Sequence, residues 1–568
     1  MLATDSANAN SFLLDMLLET QQHTTAVEKF AQLHARDELP LQAKHYRQLL
    51  PTSRPAAGEQ YAFEVDLDAC SGCKACVTAC HNLNGLEEKE VWRAVGLLHG
   101  GTTELPVVQH VTTACHHCVE PACLQGCPVK AYEKDPITGI VKHLDDQCIG
   151  CQYCMLKCPY DVPKYSKSKG IVRKCDMCSD RLSVDEAPAC VQSCPNQAIR
   201  ITVVNQQQVV EECESNVFLP GVPEPEYTLP TTIYKSKRVM PRNVLPADYY
   251  SSRPAHAHTP LIVMLVLTQM SVGAFAVEQF LQLDLAKLAG IAATDHLRPA
   301  QLVAALLLGF LGLFAAIFHL GRPRLAYRAF IGLSTSWLSR EILAFNLFAG
   351  LASAYVATAC ANYTGFEIDS SVESSLGIAA GAAGLLAVVC SMMIYIDTRR
   401  VFWGPLFTVT KFFGTCLVLG VPVALLISLA AAALSTDLTI DQILVSYGRQ
   451  LCHALIVIVS AKLVFEAMIF GSLRNQRHTP LKRTALLLKG ELSMITTARF
   501  ILGTLGGILL PLILLGEQHI APNGGFQPLF VGIIALLMTG LCLAGETIER
   551  YLFFTAVVAP KMPGTQAT

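Results

Sequence analysis

Polar and apolar positions divide the chain near residue 255. Beyond about Thr259, eight apolar runs centre on 260–281, 300–320, 341–360, 374–396, 411–434, 450–470, 495–516 and 527–548, separated by short polar loops. A helix needs about 20 apolar residues to cross a bilayer, so the pattern predicts eight membrane spans over 258–556 and a polar tail over 557–568. The third and fourth runs are rich in alanine and glycine, the residues that let membrane helices pack closely. The first half reads differently. Residues 1–60 predict a helical extension, with Ser11 as cap and Phe12, Leu13, Met16, Leu17, Val27 and Phe30 near helical spacing. From Tyr61 the alternation Tyr61, Phe63, Val65 predicts a strand. A cysteine-rich domain over 61–205 follows, then a stretch over 206–257 with Pro220, Pro223, Pro225 and Pro230 that reads as a linker.

Composition sharpens this division. The 568 residues are 52% hydrophobic and 15% charged, against roughly 25% charged in soluble domains. A formal net charge of −2 excludes a nucleic-acid partner, which would call for a clustered basic face. The 22 cysteines do not suggest a secreted disulfide scaffold, because such scaffolds are short and exported. The opening MLATDSANANSFLLDMLLETQQ has no basic start and no twin arginine, and Asp15 and Glu19 break its apolar stretch.

Loop charges set the expected orientation, since lysine and arginine accumulate on the cytoplasmic side. One face carries twenty of them, from Lys235, Lys237, Arg238, Arg242 and Arg253 through Arg322, Arg324, Arg328 and Arg340 to Arg550 and Lys561. The other face carries three, Lys287, Arg298 and Arg449. The expected location is the inner (cytoplasmic) membrane, multi-pass, with the cysteine-rich domain on the cytoplasmic side.

Sixteen cysteines form four groups. Cys70, Cys73, Cys76 and Cys80 share the spacing C-x2-C-x2-C-x3-C with Cys148, Cys151, Cys154 and Cys158, while Cys115, Cys118, Cys123 and Cys127 form a second type of run and Cys175, Cys178, Cys190 and Cys194 a fourth group. The last three groups end in Cys-Pro. A [4Fe-4S] cube takes four thiolates, three from a tight loop, and in two-cluster ferredoxins the fourth cysteine of a run serves the other cluster. A zinc ribbon would show paired C-x2-C motifs instead. Cys213, Cys360, Cys390, Cys416, Cys452 and Cys542 stand alone and read as small buried hydrophobes.

These motifs carry a resemblance. CIGCQYCMLKCPYDVPKY, RKCDMCSDRL and PACVQSCPNQAI resemble the iron-sulfur subunit of the dimethyl sulfoxide reductase family of molybdenum enzymes. HLGRPRLAYRAF, SWLSREI and GETIERYLFF are similar to that family's membrane anchor subunit, here joined to the first in one polypeptide. The resemblance implies four [4Fe-4S] clusters held by Cys70, Cys73, Cys76 with Cys194; Cys175, Cys178, Cys190 with Cys80; Cys115, Cys118, Cys123 with Cys158; and Cys148, Cys151, Cys154 with Cys127. The expected fold is an α+β ferredoxin-like four-cluster domain followed by an all-α eight-helix transmembrane bundle.

Ionisable groups at membrane depth usually mark sites. His319 ends the second run and Glu341 begins the third, both on the cluster side, where a quinol losing two electrons needs bases for its two protons. The resemblance points to the same two residues. Arg340 is a further candidate, to orient a quinone oxygen. Lys462 with Glu466 and Glu546 with Arg550, each four apart, read as ion pairs within a helix, and Glu278 and His453 as structural polar groups near the opposite face. Bis-histidine haem needs two histidines at one depth; His319 and His453 lie at opposite faces, so no haem is expected.

The function expected is oxidation of membrane quinol, menaquinol or ubiquinol, with electrons passing through the clusters to a separate molybdopterin catalytic subunit that reduces an S- or N-oxide or nitrate. Two alternatives differ in kind. A dehydrogenase partner such as formate dehydrogenase would reverse the flow, and a redox-sensing transporter would line its spans with charge at mid-membrane.

Overall fold

The computed structural model describes Leu18, Ala31, Gln32 and residues 46–288, 294–366, 368–434, 440–516 and 528–564. The helix expected near Ser11–Phe30 lies, isolated positions aside, outside the described residues.

The cysteine-rich half is built on small sheets. Strand β1 (Glu59–Asp66) runs antiparallel to β2 (Ile199–Asn205), with Glu59 opposite Asn205, and parallel to Ile233–Lys235. A hairpin of Ala94–Gly101 and Pro106–Thr113 takes Leu245–Pro246 on its other edge. Two short strand pairs, Tyr132–Lys134 with Val141–His143 and Lys164–Ser166 with Ile171–Arg173, separate the cysteine loops. The stretch expected as a linker over 206–257 is instead woven into this domain. Its helix Gln206–Glu214 is capped by the Asn205 side chain, and both its strands complete sheets. Pro225 opens a short 3-10 turn, where a missing N–H costs nothing. The tail also returns to the domain: Met562 is buried in the cluster-half core and Lys561 pairs with Asp248.

Eight helices are long and apolar enough to cross a membrane: Thr259–Leu281, Arg298–Ile317, Trp337–Tyr363, Ser370–Ile396, Pro405–Ala433, Ile440–Arg474, Ser493–Gly516 and Leu529–Thr555. Each overlaps one of the eight expected runs. Spans one and five cross at Gly273 and Gly420, where a Cβ on Gly273 would lie 1.9 Å from the Cys416 carbonyl oxygen. Lipid supplies no hydrophobic drive between helices, so such close backbone contact is a main source of their attraction. At the cluster-side end, Trp403 stacks on Phe553 at 5.4 Å and donates its indole N–H to the Phe553 carbonyl at 2.9 Å. Tyr395, Phe412 and Phe554 complete this aromatic plug.

Substituting Gly273 by Val should force spans one and five apart. Overpacking of this kind costs about 1–3 kcal/mol, and the expected outcome is a lower unfolding temperature in detergent, with the cysteine-rich half still bound to the membrane fraction.

Candidate functional site: the cysteine groups and their membrane junction

The cysteine loops curl by left-handed backbone at matching positions. Gly72 and Lys74 in the first run have φ of 75° and 63°, and Gly150 and Gln152 in the third have 70° and 60°. Glycine tolerates this region freely, and at Gly72 it is also required sterically, since a Cβ would sit 2.6 Å from the His110 ring. Backbone N–H groups then point at sulfur: Ala131 to Cys127 at 3.2 Å, Ala198 to Cys194 at 3.3 Å, Met177 to Cys175 and Gly150 to Cys148 at 3.4 Å.

The sixteen cysteines gather in four groups of four. Cys70 faces Cys73, Cys76 and Cys194 around a cavity of about 300 Å³. Cys80 faces Cys175, Cys178 and Cys190. Cys118 faces Cys115, Cys123 and Cys158 around a cavity of about 380 Å³. Cys154 faces Cys127, Cys148 and Cys151. The first three groups form a series, because Cys190 approaches Cys76, and Cys175 approaches Cys115. The fourth cysteine of each run crosses into a neighbouring group.

Such groups fit an iron-sulfur cube. Burial pushes the Cys178 thiol up to about 12 and the Cys158 thiol up to about 11, and nearby sulfurs add repulsion, so the thiolates need a positively charged core among them. Among the described residues no three Cys, His, Asp or Glu side chains close on a single ion. A zinc site would instead draw four sulfurs to ~2.3 Å from one point.

The fourth group is pressed against the membrane half. Gly150, Gly170 and Gly321 meet backbone to backbone; a Cβ on Gly321 would stand 2.1 Å from the Gly170 oxygen. The Arg322 N–H donates to the Ile149 carbonyl at 3.0 Å, and the Gly332 N–H to the Pro128 carbonyl at 2.8 Å. Ser336 donates to Gly126 at 2.7 Å, while Lys157 pairs with Asp397 at 2.6 Å and Arg400 donates to Leu156 at 3.2 Å.

His319 sits in this junction, its Nε2 3.2 Å from the Cys151 carbonyl oxygen. Two histidines that the sequence pattern places in or at the edge of the linker join it. His258 packs edge-on against His319 at 5.1 Å, and His256 against His258 at 5.0 Å. Burial holds the His258 ring down to about 3 and lowers His319 as well, so both favour the neutral form. No periodicity marks His256 and His258; the only available signal was their position just before an apolar run. Glu341 is buried in span three and accepts a hydrogen bond from Ser391 of span four. Among the described residues His319 and Glu341 make no hydrogen bond to each other. Arg340 donates to the Leu333 and Ser334 carbonyls at 3.1 and 2.8 Å and lies 4.4 Å over the Trp337 ring, which ties it to the loop before its own helix.

The expected ion pairs within single helices are replaced by pairs between helices. Lys462 pairs with Glu546 of span eight, and Arg499 of span seven bridges Glu466 and Glu546, each at 2.9 Å. Lys411 reaches Glu549 at 3.1 Å, and Arg550 donates to Gln269 at 2.9 Å. A pair spanning two helices satisfies both charges and locks the bundle, which a pair along one helix cannot do. Near the opposite face Glu278 pairs with Arg298 at 3.1 Å, and Arg298 also holds Glu373 at 2.7 Å. His453 rests 2.8 Å from the Arg449 carbonyl oxygen. The side chains of His296 and His519 lie outside the described residues.

An iron-sulfur, ferredoxin-like region joined to an eight-span membrane bundle defines an electron-transfer subunit fused to its own anchor. Residues 255–556 match the family described as DMSO reductase anchor subunit (DmsC), and residues 107–204 match the 4Fe-4S dicluster domain. The protein belongs to the DMSO reductase family, as an iron-sulfur and anchor fusion. Over the cysteine-rich half it is 30% identical to the B subunit of anaerobic dimethyl sulfoxide reductase from Haemophilus influenzae, across 32% of this sequence and 91% of that protein. Identity to the corresponding B subunit of Escherichia coli is 32%, across 31% and 88%. The nitrate-inducible formate dehydrogenase iron-sulfur subunit of Escherichia coli is 33% identical across 27% of this sequence and 57% of its own length.

Replacing Glu546 by Ala should strand Lys462 as a buried charge and leave Arg499 with Glu466 alone. Breaking one partner of a buried pair costs about 3–5 kcal/mol, and a thermal melt in detergent should register that loss, whereas Glu211→Ala on the helix after β2 should leave the melt unchanged.

Proposed function

We propose that this protein oxidises membrane quinol at the junction of its two halves and delivers the electrons to a separate molybdopterin subunit reducing an S- or N-oxide or nitrate. The four groups each hold one [4Fe-4S] cluster: Cys70, Cys73, Cys76 and Cys194; Cys175, Cys178, Cys190 and Cys80; Cys115, Cys118, Cys123 and Cys158; Cys148, Cys151, Cys154 and Cys127. When bound, these groups supply one-electron relay and set its potential.

The observation that carries the reading is the 3.2 Å contact between His319 and the carbonyl of Cys151. It puts a neutral base at the membrane boundary beside the innermost cysteine group. A quinol loses two protons and two electrons together, so proton acceptors must lie beside the electron exit. His319 takes one proton and Glu341, buried against Ser391, the other; Arg340 holds the loop between them. The excess of lysine and arginine on this side supports an inner-membrane address with the cluster domain in the cytoplasm.

Likeness to the formate dehydrogenase subunit favours a second reading, in which a dehydrogenase partner sends electrons inward and the same site reduces quinone. Reduction of the iron-sulfur centres by added quinol, but not by formate, in membranes containing the partner subunit supports the first direction. The opposite result selects the second.

His319→Ala and Glu341→Gln should each abolish quinol-dependent reduction while leaving about sixteen iron atoms per chain, as four cubes require. Absorbance and electron paramagnetic resonance of anaerobic membranes read both. Undiminished reduction in the two variants would put the quinol elsewhere.

A further inference from the structure

Among the described residues of the cysteine-rich half, four lysine or arginine side chains are buried: Arg93, Lys157, Lys164 and Lys174. Two of these have a carboxylate. Lys157 pairs with Asp397 at 2.6 Å and Lys164 with Asp161 at 2.7 Å. Arg93 and Lys174 have no carboxylate at ion-pair distance among the described residues, and what surrounds them instead is sulfur.

Arg93 donates to the Thr112 hydroxyl at 3.2 Å and lies 4.6 Å over the Phe63 ring, and its Nη2 has no hydrogen-bond partner. Thr112 in turn lies 3.5 Å from the Cys76 sulfur. The guanidinium faces Cys76 of the first group and Cys80, Cys175 and Cys190 of the second. The Lys174 ammonium stands 3.6 Å from the Cys115 sulfur, donates to the Cys175 carbonyl at 2.9 Å and also donates to the Val141 carbonyl. It faces Cys115 and Cys123 of the third group and Cys175 of the second, with the Asp176 carboxylate a weaker influence beyond ion-pair distance. Each unpaired cation therefore occupies one junction, Arg93 between the first and second groups and Lys174 between the second and third.

A buried charge without a counter-charge is too costly to persist. Four thiolates around an iron-sulfur core leave a net negative centre, which supplies the missing counter-charge. We propose that Arg93 and Lys174 set the reduction potentials of the clusters on either side of them, raising those three relative to the membrane-facing fourth. This rests on the four-cluster reading above. Reduction adds one negative charge to a cluster, so an adjacent fixed cation stabilises the reduced form more than the oxidised form. The other buried lysine near the membrane junction, Lys157, is neutralised by Asp397. Potential then rises from the membrane-facing group to the three beyond it, the direction that draws electrons away from a quinol.

The test is anaerobic redox titration of the full-length protein in membranes, followed by electron paramagnetic resonance, alongside iron content. Lys174→Gln and Arg93→Gln should each move two cluster signals to lower potential by at least tenfold in the one-electron reduction constant, ~59 mV, at unchanged iron. Lys174→Arg and Arg93→Lys, which keep the charge, should leave those signals near their original potentials. Loss of iron in the neutral variants but not in the charge-keeping ones also supports the proposal. Unshifted potentials at full iron overturn it, as do equal shifts or equal iron loss in both kinds of variant, which would make the role one of shape. Iron well short of about sixteen per chain in the unsubstituted protein would remove the four-cluster reading itself, a failure distinct from unmoved potentials.

Discussion

The rest of the structure depends on the backbone contact among Gly150, Gly170 and Gly321. It lets the loop carrying Cys148 and Cys151 lie directly on the turn after the second span, with backbone atoms of the three glycines at the contact. Every polar link across the junction, from Arg322 to Ile149 and from Gly332 to Pro128, presupposes that approach. A bulky residue at any of the three glycines would lift the innermost cysteine group off the membrane and separate it from His319. The two halves can therefore lie this close because three positions lack a Cβ.

Around that contact the molecule handles buried charge in two ways. In the membrane, Lys462, Arg499, Glu466 and Glu546 neutralise one another across three helices, and Arg298 does the same for Glu278 and Glu373 near the far face. These networks close on themselves and leave little for a ligand to do, which suits a rigid anchor. In the cysteine-rich half most of the thiols are buried or half-buried, and two cations beside them have no carboxylate at ion-pair distance among the described residues. The sulfur groups are therefore electrostatically incomplete as protein alone, whereas these membrane networks pair their charges within the bundle.

Much of this was legible along the sequence. The eight spans follow from length and apolarity, because a bilayer forces each helix to declare itself over about 20 residues. The cysteine runs were legible because tight loops supply neighbouring ligands from neighbouring positions. Reading 206–257 as a linker missed the strands Ile233–Lys235 and Leu245–Pro246, whose pairing partners lie more than a hundred residues away. The ion pairs assigned within helices failed for a related reason: four-residue spacing shows that two charges can meet, not that a better partner is absent on the next helix.

By itself the sequence determined that the molecule is half cysteine-rich domain and half membrane bundle, and which sixteen cysteines are grouped by spacing. Those properties are local, set by solvent preference and by short loops. Tertiary structure alone decided that His256 and His258 join His319, and that Arg93 and Lys174 stand between sulfurs instead of facing water. Each of these brings together residues remote in sequence, and only the packing of sheets, loops and helices sets such distances.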